Sequence, residues 1–367
     1  MKNYDVAAYI WPAYTGDEPR TLMFWEEGIG EWQTVKNSCP KPYGYNRGRK
    51  PLWGYVNEAD PYVMEMQINA AADHGVNVFI YDWYWYDNRP FLENCLNDGF
   101  LKASNCNRMK FYIMWANHDA NYLWDIRNSD KVTETIWKGT ADRSQFEIIG
   151  KRWINQYFTK ENYYKINNKP VVSIYDMNNF ITGLGGVRQA TEAVKWLNDE
   201  AKKSGLDGVH FQFIRWSGKG QNITGVDGET IETTAELLSE LGFDSLTHYQ
   251  FVHFVDIDRD YEEIIPDVKK EWDIISQEYK IPYFPHVSVG WDNNPRFKEF
   301  RPGVVKNNTP ENFEKALIEA KKYADANNIS LITVNSWNEW TETSYLEPDN
   351  VYGYGYLEAI KRVFKNS

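Results

Sequence analysis

Eight times along the chain a short β-branched or aromatic run gives way to a longer stretch with helical periodicity, and that rhythm limits the folds open to it. The runs cover residues 6–10, 76–81, 111–115, 170–175, 209–214, 245–249, 283–289 and 331–334. Most are continuously apolar instead of alternating, the pattern of parallel strands covered on both faces. The stretches between them carry helix punctuation. Asp60 sets a capping side chain before Pro61 at the first helical position, and Gly75 supplies the stop. Thr309 and Pro310 repeat the start signal. Further helices are expected over 145–158, 186–203, 230–241, 261–279 and 352–364. A parallel strand needs a crossover to reach its neighbour, so eight such units predict a (β/α)8 TIM barrel. The 367 residues exceed the ~250 typical of that fold, which puts the surplus into long βα loops, chiefly 12–54 and 117–138. No linker, repeat or low-complexity tract divides the chain, so residues 1–367 read as a single barrel domain. A doubly wound open sheet is the alternative, but the Gly-rich phosphate loops that would support it are missing from the sequence.

Composition narrows what such a barrel would bind. The 16 Trp, 25 Tyr and 18 Phe exceed what core layers require, and the cluster Tyr81-Asp-Trp-Tyr-Trp-Tyr86 favours a stacking surface for a flat, sugar-like ligand. A formal net charge of -12 argues against a nucleic-acid or anionic-membrane partner. No apolar run approaches the ~20 residues of a membrane span. The first residues form no signal-peptide core, which predicts a cytoplasmic location for the sequence as it stands, or a periplasmic or extracellular one if a leader was removed. Cys39, Cys95 and Cys106 follow no CxxC spacing and make no even disulfide set, so they read as incidental thiols.

If the barrel forms, residues just beyond each strand gather at one face, where barrel enzymes keep their chemistry. Reading them off gives Trp11, Asp82 with Trp83 and Trp85, Trp115 with Asn117 and His118, Asp176, Arg215 with Trp216, Tyr249 with Gln250, Trp291 with Asp292, and the segment 336–349. That last segment is the most informative. It holds Trp337, Asn338, Glu339, Trp340, Glu342 and Glu347 directly after an apolar strand, where unpaired carboxylates are costly to bury. Two carboxyls three residues apart can face one glycosidic bond, one donating a proton and the other activating a nucleophile. Their separation, about 5–5.5 Å or ~6.5–9.5 Å, distinguishes retention from inversion. Glu339 and Glu342 are therefore the candidate catalytic pair. Glu31 and Trp32 sit among glycines in the first loop, where Glu31 reads either as ligand-facing or as a solvated loop acid. Asp82 reads as a hydroxyl acceptor or as a cap for nearby amides. His118 and His286, at strand ends, suit hydrogen bonding to hydroxyls, since no HExxH or other metal spacing links the histidines. Asp256-Ile-Asp258 has the DxD pattern of nucleotide-sugar transferases but reads more simply as an acidic loop opening a helix. No metal and no organic cofactor is expected.

With these residues in place the chain resembles the WbsX-type glycosyltransferase/hydrolase family, which is related to the family 99 endo-α-mannosidases. Residues 30–36, GEWQTVK, resemble its GxTEWxxVK element, and residues 60–67, DPYVMEMQ, its DPxVMExQ helix start. Tyr81–Tyr86, Trp115-Ala-Asn117, Gly290-Trp-Asp292-Asn-Asn-Pro-Arg296 and Ser336-Trp-Asn-Glu-Trp-Thr-Glu342 with Leu346-Glu-Pro-Asp349 extend the match almost end to end. The resemblance implies a (β/α)8 barrel acting on α-linked glycans. It implies that Glu339 helps deprotonate a sugar 2-hydroxyl, which attacks C1 to give a 1,2-anhydro intermediate, and that Glu342 serves as acid and then base, with retention. Two segments depart from the family pattern. His118 follows Trp115-Ala-Asn117 where WANE is common, and Thr341 and Thr343 stand where the family has the Ala and Gly of WAEG.

These readings predict an endo-acting, retaining α-glycosidase with an oligosaccharide or polysaccharide substrate. The alternatives are a glycosyltransferase of surface-polysaccharide biosynthesis and a barrel that binds glycan without catalysis.

Overall fold

Strand β1 (Asp5–Ile10) pairs in parallel with both the second strand and the last, so the two ends of the chain meet side by side. The computed structural model describes residues 3–38, 48–216, 222–224 and 228–365. The remaining barrel strands are β2 (Val78–Tyr86), β3 (Lys110–Trp115), β4 (Lys169–Ile174), β5 (His210–Arg215), β6 (Ser245–His248), β7 (His286–Ser288) and β8 (Leu331–Asn335). Their order is β6-β5-β4-β3-β2-β1-β8-β7, every pair parallel. The seam between β6 and β7 is closed by a parallel bridge between Leu246 and Tyr283, with Phe284 N donating to Leu246 O at 2.9 Å. The result is a nearly closed (β/α)8 TIM barrel.

The helices stand where the punctuation sets them. Helix α1 (Pro61–His74) starts with Asp60 accepting from Tyr62 N and ends on Gly75 at φ 100°, a left-handed cap that suits glycine. Helices α2 (Arg143–Trp153), α3 (Met177–Leu184), α4 (Val187–Lys203), α5 (Ala235–Leu241), α6 (Tyr261–Glu278), α7 (Pro310–Ala326) and α8 (Gly355–Phe364) follow. Two expectations are corrected. No regular helix follows β2; short irregular turns over 95–102 take its place. Residues Thr230–Glu232, expected to be helical, form a strand paired with Asn222–Thr224, and α5 begins only at Ala235. Three successive β-formers, Thr230, Ile231 and Thr233 around Glu232, resist helix formation until the Thr234 cap.

The barrel interior is layered with satisfied polar groups. Thr247 Oγ1 meets Thr333 Oγ1 at 2.9 Å, His286 bridges Thr333 and Ser288, and Gln212 accepts from Ser173 at 2.7 Å. Such pairs make a polar interior tolerable, because each lost water contact is replaced. Cys95 is buried and Cys106 half-buried, neither in a disulfide, and Cys39 lies outside the described residues. Among the described residues no helix is long and apolar enough to cross a membrane.

Candidate active site

Beyond β8 the chain does not run straight into a helix. Residues Asn338–Glu339 pair back with Ser344–Tyr345, and a single 3-10 turn, Trp340–Glu342, closes the hairpin. Every part of this hairpin is tied. Glu339 N donates to Ser336 Oγ at 2.7 Å, Ser336 Oγ donates to Ser344 O at 2.6 Å, and Asp292 N donates to Glu342 O at 2.7 Å. Thr343 closes the turn at φ 53°, a left-handed conformation that a β-branched residue adopts only at a cost. Its hydroxyl donates to Asp292 O at 3.2 Å. The family's glycine position thus keeps a glycine-like backbone here, held instead by a threonine.

The hairpin presents both glutamates to one guanidinium. Arg296 donates through Nη1 to Glu342 Oε1 at 2.7 Å, through Nη2 to Glu339 Oε2 at 3.3 Å and through Nε to Glu31 Oε1 at 3.2 Å. Arg296 is placed by its own turn, Asn294–Arg296, which Asp292 caps by accepting from Asn294 N at 3.0 Å. Trp11 Nε1 donates to the other oxygen of Glu31 at 2.5 Å. On the opposite side Tyr249 OH lies 3.0 Å from Asp82 Oδ2 and 3.1 Å from Glu339 Oε1. A hydroxyl has one proton for these two carboxyls, so the second contact is satisfied when a carboxyl carries its own proton.

Electrostatics agree with that count. One arginine faces Glu31, Glu339 and Glu342, with Asp82 next in line. Burial raises Glu339 well above the usual carboxylate range, and the neighbouring Glu342 adds to it. Burial also raises Glu342, against the opposing pull of Arg296, and raises Asp82 strongly. Burial opposes the charge of Arg296, yet Glu31, Glu342 and Glu339 outweigh it and the guanidinium stays charged. Burial thus biases Glu339, Glu342 and Asp82 toward their protonated forms.

These groups open into a cavity of about 270 Å³. Asp82, Glu339, Glu342 and Arg296 form its polar floor, and Trp11, Tyr84, Trp124, Tyr175, Trp216 and Tyr249 its aromatic walls. Glu342 Oε2, Asp82 Oδ1 and Trp216 Nε1 are buried here without a hydrogen-bond partner among the described residues. Buried polar atoms are seldom left so unless something else binds them. The arrangement offers an acid, a base and flat apolar faces to one sugar-sized guest.

Of the residues read from sequence, Trp11, Asp82, His118, Trp216, Tyr249, Glu339 and Glu342 line this cavity. His118 sits in the wall with its ring 3.0 Å from Asp119 O, and burial lowers its pKa. The others stand elsewhere. Glu31 is neither ligand-facing nor solvated, but buried behind Arg296. Trp32 donates to Val56 O, Trp83 to Glu93 and Trp85 to Gln145, all away from the cavity. Trp115 packs on Phe146 and Trp153, and Asn117 brackets the backbone of Asp176, which caps α3. His286 belongs to the barrel interior, Trp291 is half-buried outside the cavity wall, and Asp292 serves the Arg296 turn. Trp337 donates to Gln67, Asn338 clamps Trp11, and Trp340 donates to Glu347. Arg296, Tyr84, Trp124 and Tyr175 were not read as site residues. Strand parity would have found Tyr84, because side chains alternate along β2 and Asp82 and Tyr84 share one face while Trp83 and Trp85 take the other. Arg296 lies in a loop and had no such signal. Asp256 and Asp258 sit on an exposed loop, and among the described residues no group of His, Cys, Asp or Glu is arranged to hold a metal ion.

A family model described as glycosyltransferase WbsX matches residues 7–360. Two curated relatives, both WxcX of Xanthomonas campestris pv. campestris and described as uncharacterized, are 22% identical over 94% of this chain and 47% of their own length. The chain thus spans about half the length of the curated relatives it matches. Among solved structures, the family 99 endo-α-mannosidase of Bacteroides thetaiotaomicron superposes with TM-score 0.63 at 13% identity, covering 100% of this chain and 98% of that one. A glycoside hydrolase-like protein superposes with TM-score 0.61 at 12% identity, covering 99% and 94%. At these identities the likeness establishes the fold.

Proposed function

The chain belongs to the family described as glycosyltransferase WbsX, and we propose that it is a glycoside hydrolase, a single barrel domain cleaving α-linked glycans or polysaccharides with retention and in endo fashion. One observation carries this reading: Glu339 and Glu342 share Arg296 at the floor of an aromatic cavity, and Glu342 keeps one oxygen free toward the guest. In the first step Glu339 takes the proton of the 2-hydroxyl and O2 bonds to C1. The bond from C1 to the leaving oxygen breaks, and Glu342 gives that oxygen its proton. In the second step Glu342 takes a proton from water, whose oxygen attacks C1, while O2 leaves C1 and recovers its proton from Glu339. Two inversions amount to retention. Burial raises both Glu339 and Glu342, so the mechanism requires that the proton rest on Glu342 when the guest is seated. Family 99 endo-α-mannosidases share the fold, and mannose is one candidate sugar.

The family's name points instead to glycosyl transfer, for which a nucleotide sugar would be a donor. Against that reading, Arg296 is the single cation among the described cavity-lining residues and already carries three carboxyls. A diphosphate would meet net negative charge there. A screen of α-linked polysaccharides with wild type and Glu342→Gln tests the proposal. Cleavage by wild type alone is expected. Equal cleavage by both proteins, or consumption of a nucleotide sugar with no cleavage by either, would sink it; an unchanged glycan affinity with no turnover at all would identify a binding barrel.

A further inference from the structure

Behind the catalytic hairpin lies a second pair of acids that the cavity does not reach. Glu58, in the loop before α1, is fully buried, and Glu347, just past the hairpin, is 2% exposed. Gln67 of α1 bridges them, its Nε2 donating to Glu58 Oε1 at 3.1 Å and to Glu347 Oε1 at 2.8 Å. Asn338 Nδ2 donates to Glu58 Oε2 at 2.9 Å, and Trp340 Nε1 donates to Glu347 Oε2 at 2.6 Å. The two acids therefore grip the residues immediately before and after Glu339. Asn338 also holds both backbone polar groups of Trp11, whose indole steadies Glu31 and, through it, Arg296.

We propose that Glu58 and Glu347 share a proton and act as a positioning pair that fixes Glu339 and, through Asn338 and Trp11, the arginine it faces. The proposal rests on the hydrolase reading for its kinetic consequence and on geometry alone for the pair itself. Among the described residues neither carboxyl has a cationic partner, while all four of their oxygens face donors. Two carboxylates taken from water side by side without a cation repel and keep a proton between them. The titratable groups facing Glu58 are Cys95, Tyr14 and Tyr81, each held above its ordinary value first by burial and so neutral. Loss of the shared proton would push Glu58 and Glu347 apart, and with them Asn338 and Trp340. Burial raises Glu58 to about 7 and lifts Glu347 well above the usual carboxylate range, so the shared proton leaves on the alkaline side of neutrality.

Glutamine can imitate the neutral acid, with one acceptor and one donor, and alanine cannot. Glu347→Ala should lower kcat on the order of 100-fold with little change in KM, the scale of a displaced reacting group. Glu347→Gln should restore most of that loss and move the alkaline limb of the pH profile upward. A glutamine variant as impaired as the alanine variant, or an alanine variant with wild-type kcat and pH profile, would overturn the proposal. A second reading does not depend on turnover. The indole N–H resonance of Trp340 should titrate in wild type and stay flat in Glu347→Gln. If wild type cleaves no glycan the function reading fails, and this resonance still decides the pair: a flat wild-type trace excludes proton sharing.

Discussion

Two carboxyl clusters flank the same hairpin, and they are built on opposite terms. In front, Asp82, Glu339 and Glu342 face a cavity with an arginine among them and oxygens left unpartnered. Behind, Glu58 and Glu347 have no cation among the described residues but spend every oxygen on an amide, an indole or a thiol. An orphaned oxygen in a cavity is held ready for a guest, whereas a saturated buried acid can only hold its neighbours in place. The contrast separates groups that do chemistry from groups that aim them.

The strongest challenge to this division is chemical. Glu342→Gln should lower kcat by about 10²–10⁴, the range of a lost general acid–base group. Thermal denaturation of the same variant should show unchanged or higher stability, because Arg296 keeps Glu31 and Glu339 and a buried carboxyl with one unpartnered oxygen has gone. A large loss of stability would mean that Glu342 belongs with the structural acids. Next in size, Arg296→Met removes the cation from three buried carboxyls and should cost about 3–5 kcal/mol in urea unfolding at neutral pH. Combining it with Glu339→Gln and Glu342→Gln should recover much of that loss.

A smaller effect belongs to the rear pair. Burial moves Glu58 up to about 7 from its ordinary 4.5, so the folded protein holds a proton that the unfolded chain has released. Stability should therefore fall as pH rises between about 4.5 and about 7, and Glu58→Gln should reduce that slope. Denaturant midpoints at pH 5 and pH 8 provide the check, and an unaltered slope would contradict it. Smallest of all, Thr343→Gly relieves a left-handed β-branched residue and gives up one weak hydrogen bond. It should stabilise by at most ~1 kcal/mol, with turnover unchanged.

Much of this molecule is legible in its residues. The Asp60 cap, Pro61 and Gly75 mark α1 at both ends because capping and left-handed backbone are local properties. Eight apolar runs separated by crossovers specify the barrel because parallel strands have few other arrangements. The pair Glu339 and Glu342 can be picked out because an apolar strand that ends in acids demands a reason. What could not be read is which way each neighbouring side chain points and which distant group it meets. Trp83, Trp85 and Trp115 share their strands with cavity residues yet pack outward against α2 and its surroundings. Glu347 sits just past the proposed catalytic pair and Glu31 in a separate first-loop motif, and only packing turns them into supports. Arg296, which sets the charge of the whole cavity floor, reaches Glu31 from 265 positions away. Local propensity and strand pattern are written in short windows, so sequence alone determined the barrel and picked out the acids that follow its last strand. Electrostatic pairing and burial arise between segments far apart in the chain, so only the tertiary structure decided which acids open into the cavity and which hold them there.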